Sequence, residues 1–341
     1  MRLLLVVSLI VLAGSARADF DGLLAASRLG DRAMLLDLLK AGDDPNPPSY
    51  HDGYSPLQFA AEAGDAEAVA ALLRAGARTE YRDHNGDRAL LWATRRGHAE
   101  AARLLLEAGS PPDSADDPYG RTPLMQAAFA RNVVLVDLLL AAGADVHLFD
   151  QTGMTALHHA AWGGATAVAE RLMAAGANPN TITSVLYETP LHFAARFGEP
   201  DLVRLLLAAD TAREARDSDG YTPLMLAVLS QQESNAAQLL VAGADPDAAD
   251  ASGTTALMIA VGEGQPGIVR RLLEAGADRL RRDDGGRGPL DYLVASPLAE
   301  PKSIEGHDQR SRAASIDIDP TPEEVGRIEA VQAEIRALLG P

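Results

Sequence analysis

The chain has 341 residues, with 30 basic and 48 acidic side chains and a formal charge of −18 at pH 7. Because this charge repels phosphate backbones, nucleic-acid binding, which depends on cationic contacts, is not expected. The chain contains no cysteine, which excludes disulfide bonds, a lipid-attached cysteine and a cysteine nucleophile.

Residues 1–18 are predicted to form a cleaved signal peptide. Arg2 gives a positive start, an apolar run follows from Leu3 to Leu12, and Ala16-Arg17-Ala18 forms a small-x-small cleavage site. The apolar run is too short to span a membrane. We therefore expect an exported protein without a membrane span, in the periplasm first and the extracellular space second; an uncleaved N-terminal anchor is the alternative.

A leucine in a Thr-Pro-Leu or Thr-Ala-Leu type segment recurs every 33 or 34 residues. These residues, called the marker leucines, are Leu57, Leu90, Leu124, Leu157, Leu191, Leu224, Leu257 and Leu290. A fixed period of this length indicates a solenoid of stacked helical units. Such extended surfaces usually bind other macromolecules rather than transform small ones.

Each period follows one physical plan. In the third repeat Thr122 can cap a helix whose first turn contains Pro123, where no amide hydrogen bond is needed. Apolar residues at mostly helical spacing between Val133 and Leu140 then predict a second helix, which ends at Gly143. One repeat therefore consists of two short helices and a connecting loop.

These units resemble ankyrin repeats. The motifs that carry the resemblance are Thr-Pro-Leu-His-Phe-Ala-Ala from Thr189, Thr-Ala-Leu-His-His-Ala-Ala from Thr155, and Leu-Leu-Glu-Ala-Gly-Ala-Asp from Leu272. The resemblance implies an all-α repeat solenoid with a β-turn and an antiparallel helix pair per 33–34 residues. It also implies that partners bind the concave face and the turn tips.

The resemblance divides the chain into segments. Residues 19–46 are expected to form an N-terminal capping helix pair, and 47–296 an array of about seven full repeats and a partial last one. Residues 297–320 are polar and charged, as is typical of a linker. Residues 321–341 have an apolar stripe at helical spacing. The C-terminal helix predicted there either caps the array or docks a partner.

The fifth repeat departs from the pattern at two positions. Tyr187 stands where the other repeats have a turn glycine, and Ala209 stands where the second helix is expected to end in glycine. Since a left-handed backbone strains a residue with a side chain by about 1 kcal/mol, we expect the chain to leave that helix by another route. A local irregularity or hinge is predicted in this repeat.

Catalytic motifs are not supported by their context. The glycine pattern at 262–267 matches a dinucleotide-binding loop but falls between two predicted helices and follows no strand. His158 and His192 occupy the histidine position of the repeat, where the resemblance implies a structural hydrogen bond. We therefore expect no enzyme, no cofactor and no metal site.

Large side chains cluster at positions five and six after the marker leucine, where the first helix ends and where the family faces its concave side. These residues and three at the turn tips are the candidate partner-binding residues: Phe129, Trp162, Phe197, Leu229, Arg95, Arg96, Arg196, Tyr54, Arg121 and Tyr221. Aromatic and arginine side chains together are typical of interface hot spots. The alternative is that they pack on one another across neighbouring repeats.

The sequence therefore predicts an exported, non-catalytic scaffold that is monomeric when free and binds a protein partner through its concave face. The arginines suggest that the partner supplies carboxylates. Two alternatives remain open at this point. One is a protective or chaperone-like companion of a periplasmic enzyme, and the other is a secreted effector that binds host proteins.

Overall fold

The computed structural model describes residues 22–47, 53–115, 118–295 and 322–340. The predicted signal peptide and the predicted linker at 297–320 lie outside these ranges. The described residues form 18 α-helices, with one isolated bridge between Ala249 and Thr255 and no β-strand. They belong to two compact units, divided between Gln151 and Thr152.

Eight helices belong to the first unit. They are α1 Gly22–Leu29, α2 Arg32–Ala41, α3 Pro56–Ala63, α4 Ala66–Arg74, α5 Ala89–Arg96, α6 Ala99–Glu107, α7 Pro123–Phe129 and α8 Val133–Ala141. Within this unit, α1 contacts α3 and α2 contacts α4. The N-terminal helix pair therefore stacks on the first repeat.

Ten helices belong to the second unit. They are α9 Ala156–Gly163, α10 Thr166–Ala174, α11 Pro190–Phe197, α12 Pro200–Ala208, α13 Pro223–Leu229, α14 Glu233–Val241, α15 Ala256–Gly262, α16 Pro266–Glu274, α17 Pro289–Ala295 and α18 Pro322–Leu339. Successive first helices α9, α11, α13, α15 and α17 contact one another, and so do the second helices α10, α12, α14 and α16.

Six of the first helices begin at a Ser or Thr in extended conformation, whereas α5 begins after Arg88, which makes no side-chain cap hydrogen bond. Thr122 and Thr222 accept a hydrogen bond from the amide three residues on, and each is followed by proline. These caps satisfy amides that the first turn leaves without an intrahelical partner. The marker leucines from Leu57 to Leu257 are at most 1% exposed. Leu290, in the partial last repeat, is 42% exposed.

In the first, fourth and fifth repeats, the residue after the marker leucine connects its repeat to the next turn. The amide of Thr155 donates to Nδ1 of His158 (3.1 Å), and Nε2 of His158 lies 3.2 Å from the carbonyl oxygen of Glu188. Because Nδ1 accepts, the ring proton is on Nε2 and is donated to that carbonyl. Gln58 has the same position and donates to the carbonyl of Asp87 (2.6 Å).

His192 repeats this arrangement between the fifth and sixth repeats. Its Nδ1 accepts the amide of Thr189 (3.0 Å) and its Nε2 faces the carbonyl of Tyr221 (3.2 Å). Burial lowers the pKa of His192 to about 4. The structural role expected for these histidines agrees with the hydrogen bonds that they make.

The second helix of the fifth repeat is followed by a residue in the left-handed region, as in the other repeats. Ala209 has φ −91°, and the next residue, Asp210, has φ 55°. Asp210 occupies the place that Gly176 and Gly243 take in neighbouring repeats, both with positive φ. The left-handed position was therefore predicted one residue too early, at Ala209. Asp210 takes that conformation because Asp tolerates the left-handed region. Tyr187 does take the left-handed conformation of a turn glycine, with φ 55°.

The irregularity of the fifth repeat lies between its two helices. Gly198 has φ −81° and ψ 164°, whereas Gly164 and Gly264 at the same position have positive φ. A Cβ on Gly198 would lie 2.6 Å from the carbonyl oxygen of Ala194, so the position requires glycine. Asn235, which is buried, donates to the carbonyl of Gly198 (2.9 Å) and contacts those of Ala194 and Ala195.

The C-terminal helix α18 packs on α16 and α17. Ile335 and Leu339 are buried, and Val331 lies beside Gly264. An ion pair between Arg270 and Glu334 (2.9 Å) joins α16 to α18. The helix therefore covers the end of the seventh repeat, which agrees with the capping alternative rather than with a free docking helix.

One contact of α18 is the same as a contact between repeats. Arg279 donates to the carbonyl of Leu339, the last residue of α18 (3.2 Å). Arg213 has the same position in the fifth repeat and donates to the carbonyl of Ala242, at the end of the next second helix. The end of α18 therefore takes the place that a second helix of an eighth repeat would occupy.

Candidate partner-binding site

The predicted aromatic residues lie at the ends of first helices and are exposed to solvent. Phe129 in the first unit is 46% exposed, and Trp162 and Phe197 in the second unit are 41% and 47% exposed. Leu229, at the end of α13, is half-buried. Exposure of large aromatic rings on helix ends is costly for the free protein and typical of recognition surfaces.

In the second unit the exposed rings rest on buried ones. The ring of Trp162 stacks on His159 and lies tilted against Phe193, with centroids 6.4 Å apart in both pairs. Phe193 and His159 are buried. Because its neighbours are fixed in the core, Trp162 is held with one face outward, which reduces the entropy lost on binding.

The guanidinium of Arg196 lies 5.4 Å above the ring of Phe197. The same group forms an ion pair with Oε1 of Glu188 (2.7 Å), whose side chain is only 2% exposed. Glu188 is the turn-tip residue of the repeat, three residues before the marker leucine. Arg196 therefore connects the turn to the end of the first helix.

The first unit contains the same arrangement. Arg95 pairs with the buried carboxylate of Asp87 (2.9 Å) and stacks 4.9 Å from the ring of Trp92. Nε1 of Trp92 donates to Oδ2 of Asp83 (3.0 Å). In both units, an arginine five residues after the marker leucine joins a buried turn carboxylate and an aromatic ring.

The arginines therefore do not indicate an acidic partner. Arg95 and Arg196 receive their carboxylates from the chain itself, and Arg96 pairs with Glu62 (2.6 Å). The inference that the partner supplies carboxylates loses its basis, because each pairing group is already present. Ion pairs with carboxylates of the chain fix these arginines, and Arg95 and Arg196 each lie over an aromatic ring.

The turn-tip candidates are partly packed. Tyr54 stacks on Phe59 with centroids 4.9 Å apart and lies 5.3 Å from Trp92, so here the rings pack on one another as the alternative predicts. Arg121 lies 4.7 Å over the ring of Tyr119. Tyr221 is half-buried, and its pKa is raised chiefly by burial.

An apolar patch at the turn of the fifth repeat was not identified from sequence. Ile182, Val185 and Tyr187 are all at least half exposed. Counted back from the marker leucine, the second repeat has Tyr81, His84 and Gly86 at these positions. The signal that could have found the patch is Val185 and Tyr187, which stand where that repeat has a histidine and a turn glycine.

The described residues contain no group of three or more His, Asp or Glu side chains that could hold a metal ion. Within the same ranges, no helix is long and apolar enough to cross a membrane. His158 and His192 use both ring nitrogens in hydrogen bonds to the backbone and to Thr155 and Thr189. These hydrogen bonds account for the burial of both histidines, and no catalytic role is needed to explain it.

The fold defines an all-α repeat protein. Comparison with protein families matches the model for ankyrin repeats over residues 23–116, 108–183, 168–250 and 232–299. The chain therefore belongs to the ankyrin repeat family, as its motifs predicted. Comparison with curated proteins finds no match.

Proposed function

We propose that this chain is a non-catalytic scaffold that binds a protein partner through the exposed aromatic rings at the ends of its first helices. Ankyrin repeats generally mediate protein–protein interaction. The observation that carries the proposal is the exposure of Phe129, Trp162 and Phe197, each at the end of a first helix. In the second unit, buried neighbours and an ion-paired arginine support two of these rings.

The proposal separates affinity from positioning. Trp162 and Phe197 offer apolar area that a partner can cover, and burial of such rings contributes most of the binding energy in typical interfaces. The ion pair of Arg196 and Glu188 fixes the position of the guanidinium beside Phe197. Arg95 and Asp87 do the same beside Trp92 in the first unit.

Capture of a partner tests the proposal. The mature protein and a variant with Phe129, Trp162 and Phe197 changed to alanine are used to capture proteins from a periplasmic extract, with detection by mass spectrometry. A matched control changes Val134 and Val241 to alanine, because both are exposed apolar residues on second helices. A partner lost with the first variant and kept with the control supports the proposal. A partner kept by both variants refutes the use of this surface.

Export is part of the proposal and has its own test. The N-terminal sequence supports cleavage before Asp19 and delivery to the periplasm. Intact mass of the protein from a periplasmic fraction should correspond to a chain that begins at Asp19. A mass that includes Met1 would refute cleavage.

A further inference from the structure

The ends of four first helices in the second unit, α9, α11, α13 and α15, form a row that we call the helix-end row. It consists of the residues five to eight positions after each marker leucine, at 162–165, 196–199, 229–232 and 262–265. Its large apolar side chains are Trp162, Phe197 and Leu229. Neighbouring first helices contact one another, so these positions lie side by side.

The charge of the helix-end row is negative. Its one arginine, Arg196, is neutralised by the buried Glu188 at 2.7 Å. The other two charged residues, Glu199 and Glu263, are exposed, and neither forms an ion pair within the described part of the chain. The remaining polar residues of the row are serine and glutamine, which carry no charge.

We infer that the helix-end row binds a cationic amphipathic segment of a protein partner, with lysine or arginine beside apolar residues. This inference rests on the proposed function and names the chemistry of the partner. The apolar residues of the segment cover Phe197 and Leu229. Its cations pair with Glu199 and Glu263 and approach the exposed face of Trp162, whose ring attracts cations.

An acidic segment does not fit the same surface. It would meet Glu199 and Glu263 without a free cation in the row to balance them, and like charges at an interface are strongly unfavourable. Recruiting Arg196 would break its ion pair with Glu188 and leave a carboxylate with 2% exposure without that partner. The net charge of the whole chain, −18, also repels an acidic segment at long range.

Two synthetic peptides test the inference. Both are helices of the same length with the same leucine face, and one has lysine and the other glutamate on its polar face. Binding to the full chain is followed by the emission of Trp162, and the Trp162→Phe variant gives the contribution of Trp92, the second of the two tryptophans. The lysine peptide should bind, with affinity that falls as salt is raised, and the glutamate peptide should not.

Charge variants locate the effect. The double variant Glu199→Gln and Glu263→Gln should weaken binding of the lysine peptide by about threefold to tenfold, as expected for two rim ion pairs. The control is Glu170→Gln with Glu274→Gln, because these exposed acids lie on the second helices α10 and α16. The control has the same change in net charge and should leave the affinity unchanged.

The outcomes separate the inference from the proposed function. Equal binding of both peptides, or equal weakening by the two double variants, overturns the inference and leaves an apolar contact surface in place. Binding of neither peptide also overturns the inference. The proposed function fails separately, when a captured partner does not depend on Phe129, Trp162 and Phe197.

Discussion

Replacing Arg196 by methionine would test whether the ion pair with Glu188 maintains the binding surface. The side chain of Glu188 is 2% exposed and that of Arg196 is 16% exposed, with 2.7 Å between Nη2 and Oε1. Arg196→Met keeps a long side chain beside Phe197 but removes the charge. It therefore leaves the buried carboxylate without its arginine.

The expected cost follows from this burial. Removal of one partner from a fully buried ion pair costs about 3–5 kcal/mol. Because Arg196 keeps some contact with water, we expect a loss of about 2–3 kcal/mol in the free energy of unfolding of the second unit. Adding Glu188→Gln removes the buried charge that has lost its arginine, so the double variant should be more stable than Arg196→Met alone.

Urea unfolding followed by far-UV circular dichroism measures this change. The matched control is Arg204→Met, whose ion pair with Asp201 has the same 2.7 Å distance but is 62% and 71% exposed. Exposed pairs contribute little, so the control should not shift the urea midpoint. The argument fails if Arg196→Met and Arg204→Met shift it equally, or if Glu188→Gln does not restore stability.

Three other perturbations test the fold. Gly176 and Gly220 both have positive φ, but a Cβ meets no atom within 4 Å at Gly176 and lies 2.8 Å from the amide nitrogen of Ala251 at Gly220. Gly220→Ala should therefore lower the thermal midpoint more than Gly176→Ala, whose cost is about 1 kcal/mol; equal losses would contradict the steric argument. His192, with its pKa lowered from 6.5 to about 4, stays neutral in the folded chain while the unfolded chain binds a proton. Stability should fall as pH drops from about 6.5 to 4, by about 2–3 kcal/mol at pH 4.5, and His192→Gln should remove this part of the slope; a variant with the full slope would refute it. Ile335→Ala should cost about 2–4 kcal/mol because Ile335, on α18, is fully buried, and an unchanged melting curve would show that α18 does not cap the array.

The repeats could be predicted because their signals are local. Thr122 starts a helix because its side chain caps the first turn, and Pro123 fits that turn because no amide hydrogen bond is needed there. Gly143 ends a helix because it takes the left-handed backbone conformation. Each of these effects depends on a few adjacent residues. The error at Ala209 was one of register, because the glycine that ends the second helix in the neighbouring repeats, Gly176 or Gly243, corresponds to Asp210 in the fifth repeat when counted from the marker leucine.

The chemistry of the site could be predicted only in part. The exposure of Phe129, Trp162 and Phe197 follows from their place in the repeat, and the structure agrees. The partner of Arg196 did not follow, because Glu188 lies eight residues earlier in a turn and meets it only when turn and helix fold against each other. Periodicity gives positions along a helix but does not give pairings between a helix and a turn.

In the second unit, hydrogen bonds between backbone groups connect each turn to the next. The amide of Ser184 donates to the carbonyl of Thr152, that of Ser218 to Leu186, and that of Asp284 to Ser252, at 2.8 to 3.0 Å. A pulling force on such a series acts on every junction equally, and the weakest junction breaks first. Pulling the ends apart would therefore release single repeats, each adding about 110 Å of extended chain, so the unit would lengthen in steps while the remaining repeats stay folded.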